Sequence, residues 1–155
     1  MIVAFLRHAE AEPSETNDFG RRLTEKGRLQ AQKVALFCER NQFIPDLLIS
    51  SPVVRARQTA DIVAEVLKCP VKEGPWLACG MSHARCVAEL DKLAEHRCVL
   101  LTGHEPDFSD SLAYLLGMPN SSSLRIRKAS LTVLEYSPHE SPRGQLQFLI
   151  TPKYL

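Results

Sequence analysis

Three short apolar runs constrain the fold of this chain most, because polar residues suited to binding an anion follow each of them. The runs cover residues 2–6, 47–49 and 98–101, and they lead respectively into Arg7-His8, into Ser50-Ser51-Pro52-Val53-Val54-Arg55 and into Thr102-Gly103-His104. Continuous apolar runs separated by helical patterns are typical of parallel strands that are buried on both faces. Because ligand sites of open α/β sheets lie beyond the carboxyl ends of such strands, two histidines and two arginines are predicted to meet at one edge of the sheet.

The composition favours one cytoplasmic domain over residues 1–155. A hydrophobic content of 45% is enough for a single core. The 19 basic and 18 acidic residues give a formal net charge of +1, which indicates neither a nucleic acid nor a membrane partner. Five cysteines without a C-x-x-C pair indicate reduced, mostly buried thiols. Export is not expected because no basic region precedes the first apolar run, and membrane spanning is not expected because no eighteen apolar residues run together.

The remaining pattern alternates helices with strands. The predicted elements are a helix from the N-cap Thr24 to about Asn41, a helix from near Val54 that puts Arg55 in its first turn, a weaker helix over 83–96, a helix around 108–116 that Gly117 ends, and two late strands over 124–136 and 145–150. Residues 70–80 give no clear pattern. A helix N-terminus is suited to anions, because its free N–H groups and its dipole both attract negative charge.

This arrangement of residues fits phosphoryl transfer. Guanidinium groups neutralise phosphate oxygens and bind them in pairs, which suits Arg7 and Arg55. A neutral His8 could attack phosphorus and form a phosphohistidine that water then hydrolyses, and a protonated His104 could stabilise charge or carry a proton. We expect no metal and no cofactor, since the sequence has neither an Asp-rich metal site nor a G-x-x-x-x-G-K-[ST] loop. The other histidines, His83, His96 and His139, are expected on the surface.

Four motifs resemble those of the histidine phosphatase superfamily, also called phosphoglycerate mutase-like proteins. They are Arg7-His8-Ala9-Glu10, Asp18-x-x-Arg21-x-Leu23-Thr24-x-x-Gly27, Ser50-Ser51-Pro52-x-x-Arg55-Ala56-x-x-Thr59 and Gly103-His104-Glu105-Pro106-Asp107. The segment around Lys128 is also similar. Within the superfamily, the short chain and these segments are most similar to SixA-type phosphohistidine phosphatases.

The resemblance implies a three-layer α/β/α fold on a mixed, mainly parallel central sheet. It also implies that His8 accepts the phosphoryl group and that Arg7, Arg55 and His104 complete the catalytic pocket. The remaining candidates come from the same motifs and are expected to bind substrate: Arg21 at the rim of the site, Glu10 and Ser51.

One departure from the family bears on the substrate. Many relatives that cleave phosphate esters carry a glutamate general acid after the second helix, but here Trp76 or Cys79 falls at that place and Glu73 is displaced. An alkoxide needs such a proton donor, whereas the imidazole of a phosphohistidine, with a pKa of about 6.5, leaves with less help. Glu10, Glu12 and Glu105 remain alternative proton donors.

The leading hypothesis is a metal-independent phosphatase that removes phosphate from a histidine of a phosphotransfer protein through a phospho-His8 intermediate. An alternative is a small-molecule phosphomonoesterase or mutase for sugar phosphates or phosphoglycerate, which predicts a carboxylate facing the pocket from residues 73–80 or from the first loop. A third hypothesis is a non-catalytic module that binds a phosphorylated ligand.

Overall fold

The computed structural model describes residues 1–13 and 17–155. Its helices and strands, in chain order, are β1 (Ile2–Arg7), α1 (Glu25–Arg40), β2 (Leu47–Ser50), α2 (Val54–Leu67), β3 (Val71–Glu73), α3 (His83–Lys92), β4 (Cys98–Gly103), α4 (Asp107–Leu115), β5 (Leu131–Tyr136) and β6 (Gly144–Ile150). Two short 3-10 helices cover Pro75–Leu77 and Pro152–Tyr154.

The strands form one sheet in the order β3-β2-β4-β1-β5-β6. Strands β3, β2, β4 and β1 run parallel to one another, whereas β5 runs antiparallel to β1 and β6 antiparallel to β5. The sheet is therefore mixed and mainly parallel, which confirms the predicted fold class. Among the described residues, no helix is long and apolar enough to cross a membrane.

Helices cover both faces of the sheet. Successive side chains of a strand point to opposite faces, so each strand contributes to both core layers. Along β1, Val3 and Phe5 pack in the core layer with α3 and α4. Ala4 and Leu6 pack in the other core layer, with α1 and α2. Burial on both faces explains why the strands appear in the sequence as unbroken apolar runs.

The two helices that flank the site begin as the sequence predicts. Thr24 caps α1, its hydroxyl accepting a hydrogen bond from the Gly27 N–H at 3.0 Å, and α2 begins at Val54. A β-carbon on Gly27 would lie 1.9 Å from the Glu10 carbonyl oxygen. Only glycine therefore lets the first turn of α1 pack against the chain that leaves β1.

Two predicted elements are shorter in the structure. The helix predicted over 83–96 ends at Lys92, and Ala94 beyond it is exposed. The strand predicted over 124–136 begins only at Leu131. The preceding residues form turns, in which Ala129 has a φ of 54° and the Ser130 N–H donates to the Arg127 carbonyl. The stretch 70–80, which the sequence left unassigned, contains β3 and the first 3-10 helix.

Candidate active site

The candidate site lies at the carboxyl edge of the parallel strands, where β1, β4 and β2 end side by side. Arg7 pairs with Gly103 in the register of β1 and β4, so the next residue on each strand is a histidine. The rings of His8 and His104 are both buried, and their centroids lie 5.3 Å apart. The structure thus brings together two residues that are almost a hundred positions apart in the sequence.

Hydrogen bonds to both ring nitrogens define the state of His8. Its Nδ1 lies 2.8 Å from the carbonyl oxygen of Ala9, an acceptor only, which assigns the ring proton to Nδ1. Its Nε2 lies 3.2 Å from Arg55 Nε and 3.3 Å from Lys128 Nζ. Burial, followed by the positive charge of Lys128, lowers the pKa of His8 to about 2. At neutral pH the ring is therefore uncharged, and its Nε2 lone pair faces two cations.

Thr59 on α2 fixes the backbone that holds His8. Its hydroxyl accepts a hydrogen bond from the Ala9 N–H at 3.0 Å and donates one to the Arg55 carbonyl at 2.7 Å. The same side chain therefore links the end of β1 to the first turn of α2, and this link explains the distance of four residues between Arg55 and Thr59 in the motif.

Arg55 is almost completely buried, and its guanidinium group makes polar contacts with His8, Asp18 and Cys79. Besides its bond to His8, it donates through Nη1 to the Asp18 carbonyl at 2.6 Å and through Nη2 to the Asp18 carboxylate at 3.1 Å. Arg21 donates to the other carboxylate oxygen of Asp18 at 2.9 Å. Asp18 therefore connects Arg21, which lies at the outer side of the site, to the buried Arg55.

Arg7 reaches the site from the last position of β1. Its Nη1 donates to the Ile126 carbonyl at 2.7 Å, whereas its Nε is buried without a hydrogen-bond partner among the described residues. Buried donors are rarely left unpaired in folded proteins. Arg7 therefore holds a donor that is available to an anion.

His104 is anchored through its Nε2, whereas His8 is anchored through its Nδ1. The Ser51 hydroxyl lies 2.8 Å from His104 Nε2 and accepts from the Val53 N–H. Ser51 is fully buried, and in the described part of the chain His104 Nε2 is the only acceptor within reach of its hydroxyl proton, so the hydroxyl donates to Nε2. The ring proton is thereby assigned to Nδ1, which is buried and has no partner in the described part of the chain. Burial and the charge of Arg55 lower the pKa of His104 to about 4, so the ring is neutral at neutral pH.

Two predicted carboxylates lie close to the site but have other partners. Glu10 accepts a hydrogen bond from Lys26 Nζ at 2.7 Å, and this bond lowers the pKa of Glu10. Glu105 accepts from the Ser109 N–H at 3.0 Å, and burial raises its pKa above the ordinary value. Glu10 is therefore ionised and paired at neutral pH, which does not favour it as a proton donor.

The stretch where relatives carry a general acid presents a thiol to the site. Cys79 Sγ lies 3.8 Å from Arg55 Nη2, whereas Trp76 packs against the core. The Asp107 carboxylate fixes this stretch by accepting from the backbone N–H groups of Gly80 and Met81, at 2.8 and 3.1 Å. Glu73 is exposed at the end of β3. The sequence left open whether Trp76 or Cys79 occupies the place of the general acid. Of these two residues, Cys79 is the one that lies beside Arg55.

Lys128 is a site residue to which the sequence analysis assigned no role. Because β5 is antiparallel to β1, it starts at the edge where β1 ends, and its first residue, Leu131, pairs with Leu6. The Ala129 N–H donates to the His8 carbonyl, and this bond ties the turn to the end of β1. The sequence shows only a basic residue just before a late strand. That residue can be placed at the site only once the pairing of this strand with β1 is known.

The three other histidines lie apart from the site. His83 and His139 are exposed, and His96 is half-buried. All five cysteines are free thiols, but only Cys38 and Cys86 are buried, so fewer thiols are buried than the sequence predicted. In residues 1–13 and 17–155, no group of three or more His, Cys, Asp or Glu side chains is arranged to hold a metal ion.

Comparisons with known proteins agree with this architecture. The family model of the histidine phosphatase superfamily (branch 1) matches residues 3–78. The solved structure of the protein histidine phosphatase SixA complexed with tungstate has a TM-score of 0.89 at 23% identity, over 99% of both chains. A SixA structure from Agrobacterium tumefaciens has a TM-score of 0.85 at 24% identity, over 97% of both chains.

More distant phosphatases share the same architecture. The alpha-ribazole phosphatase from Shigella flexneri has a TM-score of 0.79 at 18% identity, over 98% of this chain and 97% of that chain. No curated protein sequence matches the chain significantly.

The fold is therefore the phosphoglycerate mutase-like fold that SixA structures have. The family model over residues 3–78, together with this fold, supports a phosphatase of the histidine phosphatase superfamily.

Proposed function

We propose that this protein is a phosphohistidine phosphatase that takes phosphate from a histidine of a phosphotransfer protein through a phospho-His8 intermediate. One observation carries the proposal: the unprotonated Nε2 of His8 lies within 3.3 Å of two cationic donors, from Arg55 and Lys128. A neutral imidazole nitrogen is a nucleophile, and the cations beside it attract the phosphoryl group that it would attack.

Two buried donors that have no hydrogen-bond partner among the described residues support a phosphate-binding role for this edge. Arg7 Nε and His104 Nδ1 would each gain a hydrogen-bond acceptor from a phosphoryl oxygen. His104 can donate in its neutral form, since Ser51 holds Nε2 as the acceptor. We therefore propose that Ser51 acts through His104 and that Arg21 acts through Asp18, both as positioning residues. Glu10 would position Lys26 at the entrance.

The proposed reaction has two steps. His8 Nε2 attacks phosphorus while the P–N bond of the substrate breaks, and the departing imidazole takes a proton from solvent or from a protein group. Water then attacks the phospho-His8, which releases inorganic phosphate and restores the neutral ring. The first step replaces one phosphoramidate with another and is close to symmetric, so it depends mainly on orientation and on charge stabilisation.

The chemistry of the leaving group favours phosphohistidine over a phosphate ester. An alkoxide needs a positioned acid, a contribution of roughly two to four decades in rate. At the corresponding place this chain has Cys79, and partial burial raises the pKa of that thiol. We further propose that residues 1–155 form a single domain, that the enzyme works in the cytoplasm and that it needs neither a metal nor a cofactor.

The direct test compares wild type with His8→Ala on free phosphohistidine and on a phosphohistidine protein, with EDTA present. We expect His8→Ala to lose roughly four to six decades of activity, as enzymes do when a nucleophile is removed. His139→Ala is the matched control, because that side chain is exposed, and it should retain full activity. Equal activity in wild type and His8→Ala would exclude a phospho-His8 intermediate.

The same assays separate the alternatives. A phosphomonoesterase or mutase would turn over sugar phosphates or phosphoglycerate faster than phosphohistidine. A binding module would bind inorganic phosphate but would never accumulate acid-labile label on His8. Either result would replace the proposed function.

A further inference from the structure

A basic groove of about 700 Å³ opens beside the candidate site. One wall comes from the first turns of α1, another from the turn before β5, and the far end from the 3-10 helix Pro152–Tyr154. Arg7 and Lys128 line it at the end that meets His8. An anion held in the groove would therefore lie next to a phosphoryl group bound at His8.

The groove concentrates positive charge in a chain that is close to neutral. Seven of the 19 basic residues and one of the 18 acidic residues line it, which leaves 12 basic against 17 acidic residues, formally −5, for the rest of the chain. The near-zero total charge is therefore the sum of a strongly basic groove and an acidic remainder. Such a charge distribution selects a partner that is acidic only where it meets the groove.

Three of these cations have no carboxylate partner in the described part of the chain. Lys26 pairs with Glu10, and Lys33 donates to the carbonyl oxygens of Pro152 and Leu155. Arg125, Arg127 and Lys153 are exposed, and within the described ranges none of them has a carboxylate within 4.0 Å. Arg125, Arg127 and Lys153 are therefore able to pair with an acidic partner, and Lys153 also lies 5.5 Å from the centre of the Tyr154 ring.

We infer that this groove binds an acidic face that surrounds the phosphohistidine on the substrate protein. The inference rests on the proposed function and adds to it the charge of the partner surface. A protein face is favoured over a nucleic acid or an anionic membrane, because either of these extended polyanions would also meet the negative remainder of the molecule.

The test uses three probes: free phosphohistidine, a phosphohistidine peptide flanked by glutamates, and the same peptide with glutamines in their place. We expect wild type to prefer the glutamate peptide by about tenfold in kcat/KM, since each exposed ion pair contributes little and several act together. The preference should shrink as salt rises from about 0.05 to 0.3 M, because salt screens exposed charges.

The triple variant Arg125→Glu/Arg127→Glu/Lys153→Glu should lose or reverse this preference while it hydrolyses free phosphohistidine within about twofold of wild type. The control variant is Arg40→Glu/Lys72→Glu, which reverses exposed cations at the far end of α1 and on the edge strand β3. It should keep the preference. Retained activity on free phosphohistidine shows that the triple variant is folded.

Three results would overturn the inference: equal kcat/KM of wild type on the two peptides, a preference that survives in the triple variant, or inhibition by an oligonucleotide that is stronger than inhibition by the unphosphorylated glutamate peptide. Failure of wild type to hydrolyse free phosphohistidine would instead refute the proposed function, and the docking inference with it. The two failures are therefore distinguishable.

Discussion

The ends of β1 and β4 look alike in the sequence but differ in the structure. The two strands are parallel, and a buried histidine follows the last residue of each, Arg7 or Gly103, which pair with each other. His8 is anchored through Nδ1 by a backbone carbonyl, whereas His104 is anchored through Nε2 by the Ser51 hydroxyl. The difference teaches that the group bound to one ring nitrogen decides what the other nitrogen offers to the reaction. His8 offers an unprotonated Nε2 beside Arg55 and Lys128, whereas His104 offers an N–H at Nδ1.

The largest effect that tests this difference is expected from His104→Ala. If His104 contributes one hydrogen bond to the phosphoryl oxygens, its loss should lower kcat by roughly two to three decades. The variant should still form phospho-His8, only slowly, and rapid-quench labelling can measure the rate. A variant with no label at any time would indicate that His104 is itself the phospho-acceptor, which would reverse the comparison.

A smaller effect is expected from Lys128→Met. A charge-assisted hydrogen bond contributes about 1.5 to 3 kcal/mol, so kcat/KM should fall by roughly tenfold to a hundredfold. Burial lowers the pKa of Lys128 to about 8. The amine loses its positive charge, and its attraction for phosphate, as the pH rises through that value.

In wild type, kcat/KM should therefore decline above about pH 8, where the free enzyme's Lys128 is deprotonated. The decline should be absent in Lys128→Met and should move to higher pH in Lys128→Arg. A pH profile that is the same in wild type and Lys128→Met would exclude Lys128 from the alkaline limb. No acid limb from His8 is expected near neutral pH, because its pKa lies at about 2.

Ser51→Ala should have a more modest effect, about tenfold in kcat with little change in KM, because it removes one hydrogen bond that fixes the tautomer of His104. Combining it with His104→Ala should cost nothing further, since the two residues act as one unit. Full additivity in the double variant would show that Ser51 acts independently of His104.

The smallest effect is expected from Cys79→Ala. Imidazole leaves with little help, so phosphohistidine hydrolysis should stay within about twofold of wild type. The neighbouring Cys86, which is fully buried in the core, offers a contrast: Cys86→Ser should lower the melting temperature without changing kcat. A large loss of activity in Cys79→Ala would assign the thiol a chemical role that its raised pKa does not favour.

The parts of the fold that the sequence predicts correctly are those defined by local signals. Buried parallel strands appear as apolar runs, and the Thr24 cap marks the start of α1. The end-of-strand rule then brings His8, Arg55 and His104 together without any knowledge of side-chain contacts. Local patterning and the topology rule were sufficient for this much of the site.

The parts that the sequence predicts poorly depend on long-range pairing. Leu124 and Ile126 alternate with Arg125 and Arg127, which imitates the period of a strand, but the turn at Ala129 prevents β5 from starting there. For the same reason Lys128 had no assigned role, since its distance from His8 follows from the antiparallel pairing of β5 with β1. Single-sequence patterns do not encode such partners.

The central claim is that the lone pair on Nε2 of His8 attacks phosphorus because Nδ1 is bound to the Ala9 carbonyl. The most direct test is to quench wild type during turnover of phosphohistidine and to identify the phosphorylated atom by peptide mapping and phosphorus NMR. The account predicts phosphate on His8 Nε2. Phosphate on His8 Nδ1, or on His104, would contradict it.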